Sequence, residues 1–497
     1  MSDQTFDHVE LRSGAYADSV TLLQVSRAVQ AAPGVVTAQV AMATGLNLEV
    51  LEGMGFAVPE SSPNDMVVAL RLEADAEVGT ALAAVDAALA PTRPSSGDTT
   101  EAPPRTTGSA IKRGGPGAIA LVSVPGASAT VEAMDALEAG HDVMIFSDNV
   151  PVAEEVALKT YAASRGALVM GPDCGTAVID GVGLGFANAV RPGRIGIVAA
   201  SGTGCQQLLS LLHLAGTTHP DVGVRWALGV GGRDLSSAVG GISTREALRR
   251  LDADPEVDLI VVVSKPPAAE VASDLAAYVD TLATPVELGL LGSGQRDLTA
   301  VAEAVLARLG HDAPAWPVVG AHNTGAATGP LVRGLFVGGT LCDEAMLIAS
   351  QVLGPIRSNI PLAAELALGD DLTADTHTMV DFGDDALTQG RAHPMIDPTL
   401  RNEQLARAAA DAATGVILLD LVLGHGAEPD PAATLASAIA AARTDRPIPV
   451  IVSLVGTDLD PQGLAHQVEE LTGAGAEVHF SNASATRRAV ELIGAQS

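Results

Sequence analysis

The chain has 497 residues, too many for one hydrophobic core, so several domains are expected. Hydrophobic residues make up 47% and the formal charge is −31, which excludes a disordered chain and argues against nucleic-acid or anionic-membrane partners. Three cysteines (Cys174, Cys205, Cys342) cannot build a disulfide framework, no apolar run reaches the roughly 18 residues of a membrane helix, and MSDQTFDHVE lacks a signal-peptide pattern, so a cytoplasmic location is expected.

Residues 9–90 read as a small α/β module. LLQVSRAVQ (22–30) and EVGTALAAVDAAL (77–89) have helical spacing, while VVTAQVAMAT (35–44) and DMVVALRLEA (65–74) read as strands. The order suggests a ferredoxin-like module over 1–90, with HVELRSG a weak first strand. PTRPSSGDTTEAPPRTTGS has no apolar periodicity and reads as part of a flexible linker over 91–113. Apolar strands then alternate with helices of about 12 residues, the pattern of parallel sheets covered by helices. Residues 114–190 read as half of a doubly wound, Rossmann-like domain. Residues 191–315 and 330–497 read as two flavodoxin-like domains.

These last two domains repeat one another in order. IVAASGTGCQQLL (197–209) corresponds to LFVGGTLCDEAML (335–347). LIVVVSKPPAAEVASDLAAYV pairs with VILLDLVLGHGAEPDPAATLASAI, and PVELGLLGSG with PVIVSLVGTD. Each copy carries an apolar strand, a small-residue turn and a helix. Ser201, Gly202, Thr203 and Gly204 form one turn; Gly338, Gly339 and Thr340 form the other. Helix starts present unpaired N–H groups and partial positive charge, and glycine allows close approach, so both turns are candidate phosphate or carboxylate cradles. The expectation is two cradles facing one another across a cleft. Tight packing alone also produces such turns. Lysine occurs only at Lys112, Lys159 and Lys265, so arginine and backbone N–H groups are expected to hold the anion.

Arg233, in GVGGRDLSS, is a candidate bidentate partner for the anion, or else a surface partner of Asp234. Arg391 and His393, in GRAHPMIDP near Asp381 and Asp384, are candidate catalytic groups. His393 is a candidate general acid or donor to a carbonyl oxygen, or else a structural histidine. Asn188 is a weaker candidate. Cys205 and Cys342 lie near the cradle starts, where a nucleophilic thiol competes with simple packing. His213, His219, His311 and His322 lack metal-ligand spacing, so no metal is expected.

VMGPDCGTAVI (169–179) resembles the signature closing the nucleotide-like domain of the succinyl-CoA synthetase α subunit. GRIGIVAASGTGCQQLL resembles the strand and phosphate-facing helix that follow it, and FVGGTLCDEAML the corresponding helix of the β subunit. DSVTLLQVSRA (18–28), VAMATGLNLEVL (40–51), VGGRDLSSAVGGIS (230–243) and DFGDDALTQGRAHPMIDPTLRNEQL (381–405) resemble segments of the FdrA family. The likeness spans nearly the whole chain outside the linker.

The chain departs from the synthetase in two ways. No glycine-rich CoA loop precedes the Rossmann-like domain, and GLLGSGQRDLTAVAEAV carries no histidine where the synthetase has its phosphohistidine. The resemblance to FdrA implies an oxamate carbamoyltransferase subunit of anaerobic allantoin (purine) catabolism, converting oxalurate and phosphate to oxamate and carbamoyl phosphate. It implies small anionic substrates, phosphate or carbamoyl phosphate as ligand, companion carbamoyltransferase subunits, and a carbamate kinase downstream. An acyl-CoA synthetase activity and a non-catalytic ligase-fold scaffold are the competing expectations.

Overall fold

The computed structural model describes residues 5–17, 19–74, 76–90, 104–115, 117–321, 325–388 and 391–494. Residues 91–103 of the expected linker and His322 lie outside the described residues. The chain divides into two compact units, Met1–Pro103 with Asp385–Ile396, and Pro104–Asp384 with Asp397–Ser497.

In the first unit β1 (Thr5–Ser13), α1 (Ser19–Gln30), β2 (Val35–Met42), α2 (Gly45–Gly53), β3 (Asp65–Glu73) and α3 (Val78–Leu89) follow in order. β3 lies between β1 and β2 and is antiparallel to both. This is a split β-α-β unit, ferredoxin-like but with three strands. The central place of β3 explains its sequence. Met66 to Leu70 are all buried because both faces are covered. Val25, Val29 and Val85 pack on one face, and Leu51 and Phe56 on the other. β1 reads as weak because it is nowhere fully buried, yet it pairs with β3 along its whole length.

The second unit opens with α4 (Thr107–Gly114), fixed by a capping box between Thr106 and Ser109. The expected linker over 91–113 is therefore too long. Its Thr-Thr-Gly-Ser end looks like a turn but caps a helix, and the Gly108 N–H is bound by Asp135 at 2.6 Å. β4 (Ile119–Val122), α5 (Gly126–Glu138), β5 (Asp142–Ile145), α6 (Val152–Ser164) and β6 (Val169–Met170) make a three-stranded parallel half-sheet. The boundary expected at 190 also shifts. β7 (Thr176–Ile179) and β8 (Val182–Gly185) form a hairpin that pairs with the next sheet.

That sheet is built from β9 (Ile195–Ala200), α7 (Gly202–Ala215), β10 (Val224–Gly229), α8 (Ile242–Ala253), β11 (Leu259–Ser264), α9 (Ala269–Val279), β12 (Val286–Leu290) and α10 (Leu298–Arg308). Its order is β12-β11-β9-β10-β7-β8. The last sheet comprises β13 (Val318–Val319), β14 (Leu331–Phe336), α11 (Gly339–Leu353) and β15 (Thr378–Asp381). After α12 (Asp385–Thr388), which belongs to the first unit, come α13 (Thr399–Ala410), β16 (Thr414–Val422), α14 (Pro431–Ala442), β17 (Val450–Val455), α15 (Leu464–Gly473), β18 (Glu477–His479) and α16 (Asn482–Gly494). Its order is β13-β18-β17-β16-β14-β15. Counted from β9 and β14, the first parallel strand of each, both sheets run 2-1-3-4, the flavodoxin-like order. The sequence repeats fall on equivalent elements: β9–α7 with β14–α11, β11–α9 with β16–α14, and β12 with β17.

A buried ionic knot ties the half-sheet to the first flavodoxin-like domain. Lys159 of α6 donates to Glu155 Oε1 at 2.8 Å, Asp234 Oδ1 at 2.7 Å and the Val230 carbonyl at 2.8 Å. Asp234 also accepts the Ser243 and Thr244 amides that open α8. All three ionic side chains are buried, so removing the cation strands two carboxylates. Lys159→Met is expected to cost about 3–5 kcal/mol of stability, read from the midpoint of urea unfolding.

Candidate functional site

β9 and β14 are the first parallel strands of the two sister sheets, and each runs directly into a helix with a small-residue start. Ser201 caps α7 by accepting the Gly204 N–H at 2.9 Å; Gly338 precedes α11 without a side-chain cap. The helices pack against each other and their starts touch. Ser201 Oγ and Thr340 Oγ1, both buried, lie 2.7 Å apart. A Cβ at Gly338 would come within 2.9 Å of Thr203 Oγ1, and one at Gly204 within 3.0 Å of the Thr340 methyl. The glycines serve the close approach of two backbones.

This contact corrects one expectation. The two cradles meet, but no cleft separates Ser201 from Thr340, because their hydroxyls are spent on each other. The α11 start also carries an internal anion. Asp420, from β16, accepts the Val337 N–H at 2.7 Å and the Gly338 N–H at 2.9 Å. Burial pushes the Asp420 carboxyl up to about 6, while Arg401 and these two amides pull it down.

What stays open is one rim. Gly202 is exposed, and Thr203 and Gly339 are half-buried. Their amides, at the first positions of each helix, find no acceptor among the described residues. Beside this rim stands Lys265, which directly follows β11. Ser264 pairs with Ala200, so Lys265 neighbours Ser201 where the strand order switches between β9 and β11. A Cβ at Gly339 would lie 2.9 Å from Lys265 Nζ and 2.5 Å from Asp381 Oδ2. Burial depresses the Lys265 ammonium, but Asp381, Asp343, Asp173 and Asp384 outweigh it and hold the group above its ordinary value. Burial pushes Asp381 up to about 7 and Asp343 to about 6, with Lys265 opposing both shifts. Among the described residues Lys265 makes no hydrogen bond or close ion pair. Thr176 Oγ1, buried and without a partner among the described residues, lies 3.9 Å from the Cβ position of Gly202, and the buried Ser264 Oγ is likewise unpartnered among them. Sequence reasoning passed over Lys265 and Thr176. The signal was there: one of only three lysines ends a strand of the repeat, and Thr176 closes the GPDCGT motif.

The remaining candidates lie elsewhere. Arg233 binds Glu155 Oε2 at 3.0 Å and the Val150 carbonyl at 2.9 Å, so its contacts face α6 and not the paired turns; Asp234, its expected partner, is taken by Lys159. Arg391 and His393 belong to the first unit, whereas Asp381 and Asp384, expected beside them, belong to the second. His393 Nδ1 accepts the Met395 N–H at 3.2 Å, and burial pushes the ring down to about 4, so it is neutral near pH 7 and cannot serve there as a charged acid. Asn188 is a tether, donating to Asp460 and the Leu423 carbonyl. Cys205 and Cys342 are fully buried, and burial pushes both thiols well up, as expected of packing residues.

Residues 335–492 match the family described as CoA-ligase, and residues 1–104 match the family described as AllF, heavy metal-associated domain. The chain is 38% identical over 513 residues to the uncharacterized protein YahF of Escherichia coli strain K12, covering 98% of each. It is 26% identical over 169 residues to the succinate–CoA ligase [ADP-forming] α subunit of Methanothermobacter thermautotrophicus, covering 33% of this chain and 54% of that one. Among solved structures, the dinucleotide-forming acetyl-coenzyme A synthetase 1 of Ca. Korarchaeum cryptofilum, in complex with phosphate and ADP, aligns over 76% of this chain and 84% of its own. The identity there is 15% and the TM-score 0.27.

The metal that one of these family descriptions evokes does not fit the residues present. Residues 1–104 contain no cysteine and one histidine, His8, so no thiolate metal site can form there. Among the described residues no group of three or more His, Cys, Asp or Glu is placed to hold a metal.

The buried acid at the rim has a consequence for stability. Asp381 titrates near 7 in the folded chain and near 3.9 when unfolded, so the unfolded state releases its proton first. Its stabilising share is whole below about pH 4 and is lost as pH rises through about 7. Melting temperature is expected to fall between pH 5 and pH 8, and Asp381→Asn to flatten that fall. An unchanged pH slope in the variant would contradict the assignment.

Proposed function

The chain belongs to the FdrA family, and from that premise we propose that it is a subunit of an oxamate carbamoyltransferase acting in allantoin catabolism. The reaction is phosphorolysis. A phosphate oxygen attacks the carbamoyl carbon of oxalurate, a C–O bond forms and the C–N bond to oxamate breaks. The phosphate hydroxyl proton goes to the leaving nitrogen, giving oxamate and carbamoyl phosphate. Two lines support this reading: the AllF-type N-terminal module and the CoA-ligase-type C-terminal domain on one chain.

The single observation that carries it is the contact of the two glycine starts, which leaves a rim of amides beside the Lys265 ammonium, all without a hydrogen-bond partner among the described residues. That rim suits small anions and needs no nucleotide. Ser201, Gly202, Thr203, Gly204, Gly338, Gly339 and Thr340 build it, with the free amides as donors to phosphate. Companion carbamoyltransferase subunits complete the active assembly, and a carbamate kinase consumes the product. A synthetase-type reading would need CoA, and saturable CoA binding by calorimetry would favour it.

Carbamoyl phosphate formation from oxalurate and phosphate, by the chain with its companion subunits, tests the proposal. Gly338→Val, which drives a side chain into Thr203, is expected to lower turnover at least tenfold. Arg233→Ala is expected to lower stability, through its bond to Glu155, and to spare most turnover. No product from the full assembly would reject the function; full turnover in Gly338→Val would reject the site.

A further inference from the structure

The three-stranded sheet of the first unit leaves β1 at an edge, with β3 its only strand partner among the described residues. In a four-stranded ferredoxin-like sheet the last strand lies beside the first, which is the place left open here. An edge strand presents a row of N–H and C=O groups ready to pair with another chain, and proteins commonly blunt it with a bulge, proline or lysine. At the opposite edge, β2 breaks register between Val35 and Thr37. β1 has no such device: its nine residues keep unbroken register against β3 and include no proline, glycine or lysine. Its side chains alternate between the two faces. Val9 and Leu11 share the face of Leu51 and Phe56, so Phe6, His8, Glu10 and Arg12 lie on the other. Phe6 is exposed. The buried His8 Nε2 has no hydrogen-bond partner among the described residues, and Glu10 Oε2 of its own strand stands 4.0 Å away.

We propose that the outer edge of β1 docks a second copy of this chain, strand β1 against strand β1, antiparallel about a two-fold axis through Val9. The sequence of the strand is complementary to itself in that register. Residues opposed across the axis must point to the same face, so the axis passes through a residue and not between two. With the axis at Val9, Thr5–Ser13 is opposed along its whole length. His8 of each copy then faces Glu10 of the other, which gives the unpartnered ring nitrogen a carboxylate. Phe6 faces Arg12, a guanidinium beside an exposed ring. Val9 faces Val9. Asp7 faces Leu11, and its charge is already held by Arg71 of β3 at 2.8 Å. Neighbouring registers lose the match. An axis at Glu10 opposes two carboxylates, and an axis at His8 opposes two imidazoles and sets Glu10 against Phe6. Axes at Asp7 or Leu11 shorten the overlap. Pairing at Val9 joins the two sheets in the order β2-β3-β1-β1-β3-β2, and the edges that remain are the interrupted β2 strands.

Analytical ultracentrifugation of the full chain over a concentration series tests the pairing, and a dimer is expected. Glu10→Lys loses the partner of His8 and sets like charges along the axis, so it is expected to weaken the dimer at least tenfold. Adding His8→Glu restores opposite charges at the same two positions and is expected to recover most of that loss, which a merely misfolded variant cannot do. Cysteine placement reads the register independently. The three native cysteines are buried. Val9→Cys places two thiols together at the axis, and a short bismaleimide is expected to link them into a covalent dimer. Ser13→Cys lies at the strand end, far from its own counterpart, and is expected to give none. A chain that stays monomeric throughout the series, a dimer indifferent to Glu10→Lys, or equal cross-linking from Val9 and Ser13 would each overturn the pairing. So would a β1 edge whose amides gain protection from hydrogen exchange only when a different protein is added, because the strand would then serve that partner and not a second copy.

Discussion

The hydrogen bond between Ser201 and Thr340 marks the constraint on which the second unit depends. Two helices from sister sheets are buried against each other, and their starts touch. Such contact requires small residues, because any side chain on Gly338 or Gly204 meets the opposite turn. The same contact fixes the chemistry. It brings two helix starts together, consumes the inner hydroxyls, and leaves an outer rim of amides without an acceptor among the described residues.

The two copies have diverged in charge. In the first domain, β11 ends in Ser264 and is followed by Lys265, beside Ser201. In the second, β16 carries Asp420, whose carboxylate already satisfies the Val337 and Gly338 amides. One domain offers a cation beside the shared rim and the other fills its own helix start with an anion, so the proposed anion site is one, not two. The surrounding aspartates hold Lys265 protonated without contacting it closely, which keeps its donors available.

Much of this was legible in the sequence. The alternation of apolar strands with helices and the internal repeat foretold two sheets of equal order, and the Gly-Thr turns located the paired helix starts. Two kinds of feature were not legible. Pairing partners far apart in sequence decide whether a charged residue is structural or open, so Arg233 reads as an anion ligand or a partner of Asp234 although Glu155 holds it, and Lys265 draws no notice although it makes no hydrogen bond or close ion pair among the described residues. Unit membership is likewise a property of contacts: Asp381 and His393 are near neighbours along the chain, yet they belong to different units. Capping also disguised structure, since Thr106 and Ser109 read as linker but open a helix.

The central claim is that a small oxyanion binds at the outer rim of the joined helix starts and not between them. A crystal structure of the full chain soaked in phosphate tests this most directly. The account predicts one tetrahedral anion contacting the Gly202 and Thr203 amides, the Thr176 hydroxyl and Lys265 Nζ, with the Ser201–Thr340 bond intact. An anion that parts Ser201 from Thr340, or one bound at Arg233 with the rim empty, would contradict it.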